Sequence, residues 1–162
     1  MTQLSYKSAN ELAKMVLDKE ISSSELLEYF IKRVESYNPS INAIIVKNYD
    51  EARKQARELD EKLLKGEILG ALHGVPMTVK ESYGVKNTPT TYGRPDLKDN
   101  IVKEDALSIQ RLKNSGAVIF GKTNVPFNLA DFQSYNDIYG TTNNPWNLAK
   151  VPGGSSGGSA AA

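Results

Sequence analysis

Three stretches of this 162-residue chain carry residue types that could do chemistry, and each also has an ordinary reading. Gly116-Ala-Val-Ile-Phe-Gly121-Lys122-Thr123 matches G-x-x-x-x-G-K-[ST], the phosphate loop of nucleotide hydrolases. That loop needs a strand before its first glycine and a helix opening at its lysine, so that backbone N–H groups converge on phosphate. Here a helical stretch precedes Gly116, residues 117–120 are themselves strand-like and Pro126 follows, so a nucleotide hydrolase stands as the rival enzyme hypothesis. Lys80 follows the apolar run 75–79, at the end of a strand. Most such lysines are solvated, but a buried one has a lowered pKa and its neutral amine can act as a general base. Gly153-Gly154-Ser155-Ser156-Gly157-Gly158-Ser159 has the composition of a flexible linker, the favoured reading when it is taken alone. Small residues also permit tight turns that expose hydroxyls and N–H groups able to relay protons.

Other reactive types are sparse. His73 is the only histidine and there are no cysteines, so thiolate chemistry is absent, a zinc site is disfavoured, and a lone histidine before glycine reads as structural. Trp146 and the tyrosines are not interleaved with basic residues and read as packing.

The elements that must position these residues follow from periodicity. Leu12, Met15 and Val16, then Leu26, Leu27, Phe30, Ile31 and Val34, recur at helical spacing. Ser8 with Glu11 and Ser22 with Glu25 fit capping boxes at the start of two short amphipathic helices. Asn38-Pro39 reads as a breaker, with residues 41–46 a strand or a helix extension beyond it. Residues 50–65 present the stripe Ala52, Ala56, Leu59 and Leu63, a surface helix ending at Gly66. After Gly74 the pattern becomes strand (75–79), helix (105–114, with Ala106, Ile109 and Leu112 inward and Gly116 at its C-terminus) and strand (117–120). A strand, a crossover helix and a second strand imply parallel neighbours in an α/β sheet, with the ligand site beyond the strand ends, after Val79 and Phe120. Residues from Asn124 onward are loop-rich, and no internal repeat is evident.

Composition sets the bounds. With 40% hydrophobic and 24% charged residues the chain reads as an ordinary globular protein rather than a disordered or disulfide-stapled one. Twenty Lys and Arg against nineteen Asp and Glu give a net charge of +1, which disfavours nucleic acid and anionic membranes as partners. Residues 1–7 carry no basic-then-apolar leader, and no apolar run approaches the ~20 residues of a membrane span. A cytoplasmic location is the expectation.

Taken together, Leu72-His-Gly-Val-Pro-Met-Thr-Val-Lys80-Glu, Thr88-Pro-Thr-Thr-Tyr-Gly93, Gly121-Lys-Thr-Asn-Val-Pro126, Tyr139-Gly-Thr-Thr-Asn-Asn-Pro-Trp146 and Pro152-Gly-Gly-Ser-Ser-Gly-Gly-Ser159 resemble the amidase signature family. The resemblance turns the glycine-serine stretch from a linker into a signature, and makes Gly121-Lys-Thr-Asn the family's own segment. It implies an α/β fold in which N-terminal helices precede part of a mixed, mostly parallel β-sheet sandwiched by helices. Residues 1–162 would form a single unit, mainly helical over 1–70 with the α/β core beginning at 71. It also implies hydrolysis of carboxamide C–N bonds through a Ser, cis-Ser, Lys triad. Lys80 matches the lysine, and Ser155 matches the bridging serine, whose peptide bond to Gly154 would be cis. Gly153, Gly154, Ser156, Gly157 and Gly158 form the supporting loop. The family's nucleophilic serine and oxyanion hole fall beyond Ala162, so this chain alone is expected to be inactive or nearly so. Glu81 stands where an aspartate commonly follows the lysine, and little is expected of that change. The expected partners are a small-molecule amide and either a C-terminal half or a second copy of the chain, with no cofactor or metal. The alternative from another class is a non-catalytic remnant that binds a partner.

Overall fold

The computed structural model describes residues 4–162. Residues 1–3, part of the stretch inspected for a leader, lie outside the described residues. The elements are α1 (Ala9–Leu17), α2 (Ser23–Ile41), β1 (Ile44–Lys47), α3 (Tyr49–Leu64), β2 (Pro76–Lys80), α4 (Leu107–Asn114), β3 (Val118–Thr123), the short strands β4 (Tyr135–Asn136) and β5 (Gly140–Thr141), and α5 (Gly157–Ala161). Three of them form a sheet in the order β1-β3-β2, and β4 and β5 form an antiparallel pair. β1 runs antiparallel to β3, with Ile44 opposite Thr123 and Lys47 opposite Gly121. At the other edge Val118 N–H donates to Val75 O and Glu81 N–H to Thr123 O, the same order along both strands. The sheet is therefore mixed, within an α/β fold of the expected class.

The chain divides into two compact units, each assembled from three separate segments. The first comprises residues up to 32, 48–77 and 110–120. Its helices start as the sequence predicts: Ser8 and Glu11 close a reciprocal capping box, as do Ser22 and Glu25. Leu12, Val16 and Leu26 form a core cluster, against which Leu4, Ile21, Phe30 and Leu63 pack. Asp60 of α3 accepts the N–H groups of Ser23 and Ser24 at 2.6 and 3.1 Å, tying the first turn of α2 to α3. Helices α3 and α4 both end in a Schellman arrangement. Gly66 and Gly116 adopt φ of +80° and +91°, and the residue after each donates five residues back, Glu67 to Lys62 O and Ala117 to Leu112 O. Gly116 also has no room for a side chain, since a Cβ there would lie 2.5 Å from His73 Cα.

The second unit comprises residues 33–47, 78–109 and 121–162. Here the breaker reading of Asn38-Pro39 fails: α2 is a 19-residue helix that runs through Pro39 to Ile41. The end is set instead by Asn42 at φ +53° and by the Asn38 side chain, whose Oδ1 accepts Ala43 and Ile44 N–H. The strand alternative for the next segment holds from Ile44. Helix α4 begins at Leu107 rather than Asp105, because Asp105 accepts Lys86 N–H at 2.7 Å and Ala106 N–H donates to Gly84 O. Ile109 is buried, while Ala106 and Leu112 are half-buried. Buried amides organise the loops of this unit. Asn124 donates to Gly140 O and Thr142 Oγ1, and its Oδ1 accepts from Asn136 Nδ2, whose own Oδ1 accepts Ile138 and Tyr139 N–H. Trp146 corrects the packing assignment, since its side chain is 96% exposed, and Tyr37, Tyr83 and Tyr135 are also exposed. Among the described residues no helix is long and apolar enough to cross a membrane.

Candidate active site

Lys80 is the last residue of β2 and is half-buried. Its Nζ donates to Ser155 Oγ at 2.8 Å, across 75 positions of sequence. Burial holds the Lys80 ammonium below its ordinary pKa of 10.5 by penalising the charged form. A lysine so placed can exchange a proton with the hydroxyl it touches.

The loop that presents Ser155 is ordered, and no linker. The Gly154–Ser155 peptide is cis. Ser134 staples the loop at both ends: its hydroxyl donates to Gly153 O at 3.2 Å and accepts Gly157 N–H at 2.9 Å. The glycines are demanded by close approach. A Cβ on Gly154 would lie 2.6 Å from Asp131 O, one on Gly157 2.5 Å from Ser134 Oγ, and one on Gly158 2.3 Å from Asn124 N. Gly153 sits at φ +94°. Gly157 and Gly158 are buried in α5, Ser155 is half-buried, and Ser156 and Ser159 are exposed. Ser159 Oγ lies 2.6 Å from Thr123 Oγ1, which donates to Val79 O at 3.2 Å.

The residue after Lys80 matters more than the sequence suggests. Glu81 is fully buried, and its carboxylate accepts Thr91 N–H at 2.5 Å and Tyr92 N–H at 3.0 Å. Lys122 is fully buried too, donating to Pro89 O and to Thr90 Oγ1. Burial pulls its pKa down to about 8, and the Glu81 carboxylate opposes that shift. Two charged side chains thus grip consecutive peptides of the 89–92 loop.

Gly121, Lys122 and Thr123 are the last three residues of β3, and no helix opens at Lys122. The phosphate-loop match therefore lacks the geometry that would aim N–H groups at a phosphate. His73 is a core residue of the first unit: Nδ1 accepts Leu69 N–H at 3.2 Å and Nε2 faces Leu59 O at 3.1 Å, so the Nε2–H tautomer satisfies both. Ser134, Thr123 and the Asn124–Asn136 pair are hydrogen-bonded groups around the site that sequence reasoning misses. Thr123 and Asn124 lie within one of the resemblance motifs, but Ser134 stands in none and nothing local marks it.

The amidase family's sequence profile matches residues 25–162. The acylamidase of Rhodococcus erythropolis is 42% identical over 159 residues, covering 98% of this chain and 33% of the relative. A glutamyl-tRNA(Gln) amidotransferase subunit of Acidothermus cellulolyticus is 38% identical over 162 residues, all of this chain and 32% of that one. Among solved structures, a bacterial aryl acylamidase of the amidase signature family superposes with a TM-score of 0.92 at 35% identity, over 96% of this chain and 33% of that one. A fatty acid amide hydrolase gives 0.90 at 35%, over 94% and 27%. The chain spans about a third of the length of these relatives. With a profile match across most of its length, the chain belongs to the amidase family.

Proposed function

We propose that this chain supplies the base and the proton relay of an amidase that hydrolyses the C–N bond of a small carboxamide. The observation that carries the reading is the 2.8 Å contact between Lys80 Nζ and Ser155 Oγ. With Lys80 neutral the contact reverses its polarity, the Ser155 hydroxyl donating to the Nζ lone pair. A nucleophilic serine, supplied by sequence outside residues 1–162, passes its proton to Ser155 Oγ while the Ser155 proton moves to Lys80. Its oxygen then attacks the amide carbon. As the C–N bond breaks, the leaving nitrogen takes the proton back along the same path, and water cleaves the acyl-enzyme to carboxylate. Burial of Lys80 favours this role, since it raises the neutral fraction at a given pH. On this reading the partner of the 162 residues is the polypeptide that carries the nucleophile, and the isolated chain has little or no activity.

Joining the chain to the C-terminal two-thirds of the Rhodococcus acylamidase tests the proposal. The chimera is expected to hydrolyse simple amides, with Lys80→Ala reducing kcat/KM on the order of 10⁴-fold, as for loss of a member of a catalytic unit. Ser155→Ala is expected to cost on the order of 10²- to 10³-fold, the worth of a positioned proton-transfer group. Hydrolysis undiminished by either substitution would reject the assignment.

A further inference from the structure

Thr123 is tied to the neighbourhood of Lys80 from both sides. Its carbonyl accepts Glu81 N–H at 3.0 Å, and its hydroxyl donates to Val79 O at 3.2 Å, so the residues before and after Lys80 are both bonded to it. The same hydroxyl meets Ser159 Oγ at 2.6 Å, in the first turn of α5 and four residues beyond Ser155. Thr123 is itself fully buried at the end of β3, opposite Ile44 of β1. With its one proton spent on Val79 O, Thr123 Oγ1 accepts from Ser159, giving a directed chain Ser159 O–H to Thr123 O–H to Val79 O. Ser134 holds the Ser155 loop to another loop, whereas this chain of hydroxyls holds it to the strand that carries the lysine.

We infer that Thr123 is a positioning residue that couples the Ser155 loop to Lys80, acting through the Ser159 hydroxyl. The inference rests on the assignment of Lys80 and Ser155 as base and relay. Without the Thr123 hydroxyl, the first turn of α5 loses its bond to the sheet, Ser155 Oγ is no longer kept within reach of Nζ, and water gains access to Lys80. A lysine returned to water titrates closer to its ordinary 10.5.

The test reads Lys80 directly, by the NMR titration of its side-chain ¹³Cε and ¹⁵Nζ resonances in the 162-residue chain, with Lys80→Arg identifying the signals. Thr123→Val removes only the hydroxyl at nearly constant volume and is expected to move the Lys80 midpoint up toward 10.5, whereas Thr123→Ser is expected to leave it at the wild-type value. Ser159 is exposed on a helix, so Ser159→Ala carries the same test should the buried valine prevent folding, and it is expected to shift the midpoint in the same direction. A depressed wild-type midpoint that neither variant moves would overturn the coupling while leaving the base assignment standing. A shift with Thr123→Val but none with Ser159→Ala would also overturn it, since the link through α5 would then be idle. A wild-type midpoint at 10.5 would overturn both the coupling and the base assignment. Hydrolysis is not needed for this readout, so loss of the coupling and failure of the catalytic reading give different results.

Discussion

Fourteen of the twenty-two buried apolar side chains among the described residues belong to the unit that contains α1 and α3, whereas ten of the twelve buried polar or charged ones belong to the unit that carries Lys80 and Ser155. The first unit is assembled from apolar stripes and capped helix ends, interactions that tolerate exchange of one aliphatic side chain for another. The second is assembled from hydrogen bonds with definite partners, among them the Asn124–Asn136 pair, the Ser134 staple and the Glu81 and Lys122 grips on residues 89–92. Such networks are costly to leave half-satisfied, and when complete they fix geometry to within a hydrogen-bond length. Proton transfer over 2.8 Å needs that precision, which is why the candidate chemistry lies in the polar unit.

Glycine substitutions are the sharpest way to separate the two regions. Gly158→Ala would drive a Cβ to 2.3 Å from Asn124 N and 2.6 Å from Asn124 O, both backbone atoms that cannot swing aside. A cost of about 3 kcal/mol or more is expected from such overpacking, with loss of the Lys80–Ser155 contact. Gly66→Ala meets nothing within 4 Å and carries only the strain of φ +80°, about 1 kcal/mol. Chemical denaturation of the two variants checks the contrast, and equal costs would dissolve it.

The pH dependence of stability separates them next. Lys122 titrates near 8 in the folded protein and near 10.5 when unfolded. Between those values the unfolded chain binds a proton that the folded chain does not, so stability rises as the pH climbs from about 8 to about 10.5, by roughly 3 kcal/mol. Below about pH 8 both states are protonated and this contribution is flat. Urea midpoints measured across that window are expected to rise for the wild type and to rise less for Lys122→Met.

The smallest effect belongs to the first unit. Ser22→Ala removes the hydroxyl that caps Glu25 N–H at 3.1 Å, and a loss of about 1 kcal/mol in thermal unfolding is expected, with the Lys80 titration unchanged. A shift at Lys80 in that variant would show that the division of labour is wrong.

The same contrast explains what could be read from the sequence. Capping boxes and 3.6-residue stripes placed α1, the start of α2 and α3, because their signals lie within a few residues of each other. Lys80 stood out because a charge at the end of an apolar run is locally visible, and the cis-preceded Ser155 was reached through motif resemblance. Pro39 misled because its tolerance inside α2 depends on what Asn38 and Asn42 do afterwards. Glu81 looked minor because its two partners, Thr91 and Tyr92, lie ten and eleven residues on. Ser134 could not be found at all: its role exists only once residues 19 and 23 positions away arrive beside it. Trp146, assigned to packing by residue type, is exposed because hydrophobicity alone does not say which surface a side chain meets.

The most direct test of the central claim is the intact mass of the 162-residue chain after treatment with a serine-reactive fluorophosphonate, alone and joined to the remainder of the acylamidase domain, each with Lys80→Ala alongside. If Lys80 and Ser155 are base and relay rather than nucleophile, the chain alone stays unmodified, and the joined protein gains one adduct outside residues 1–162 that Lys80→Ala abolishes. A Lys80-dependent adduct on Ser155, Ser156 or Ser159 of the isolated chain would contradict the account and place the nucleophile within the glycine-serine loop itself.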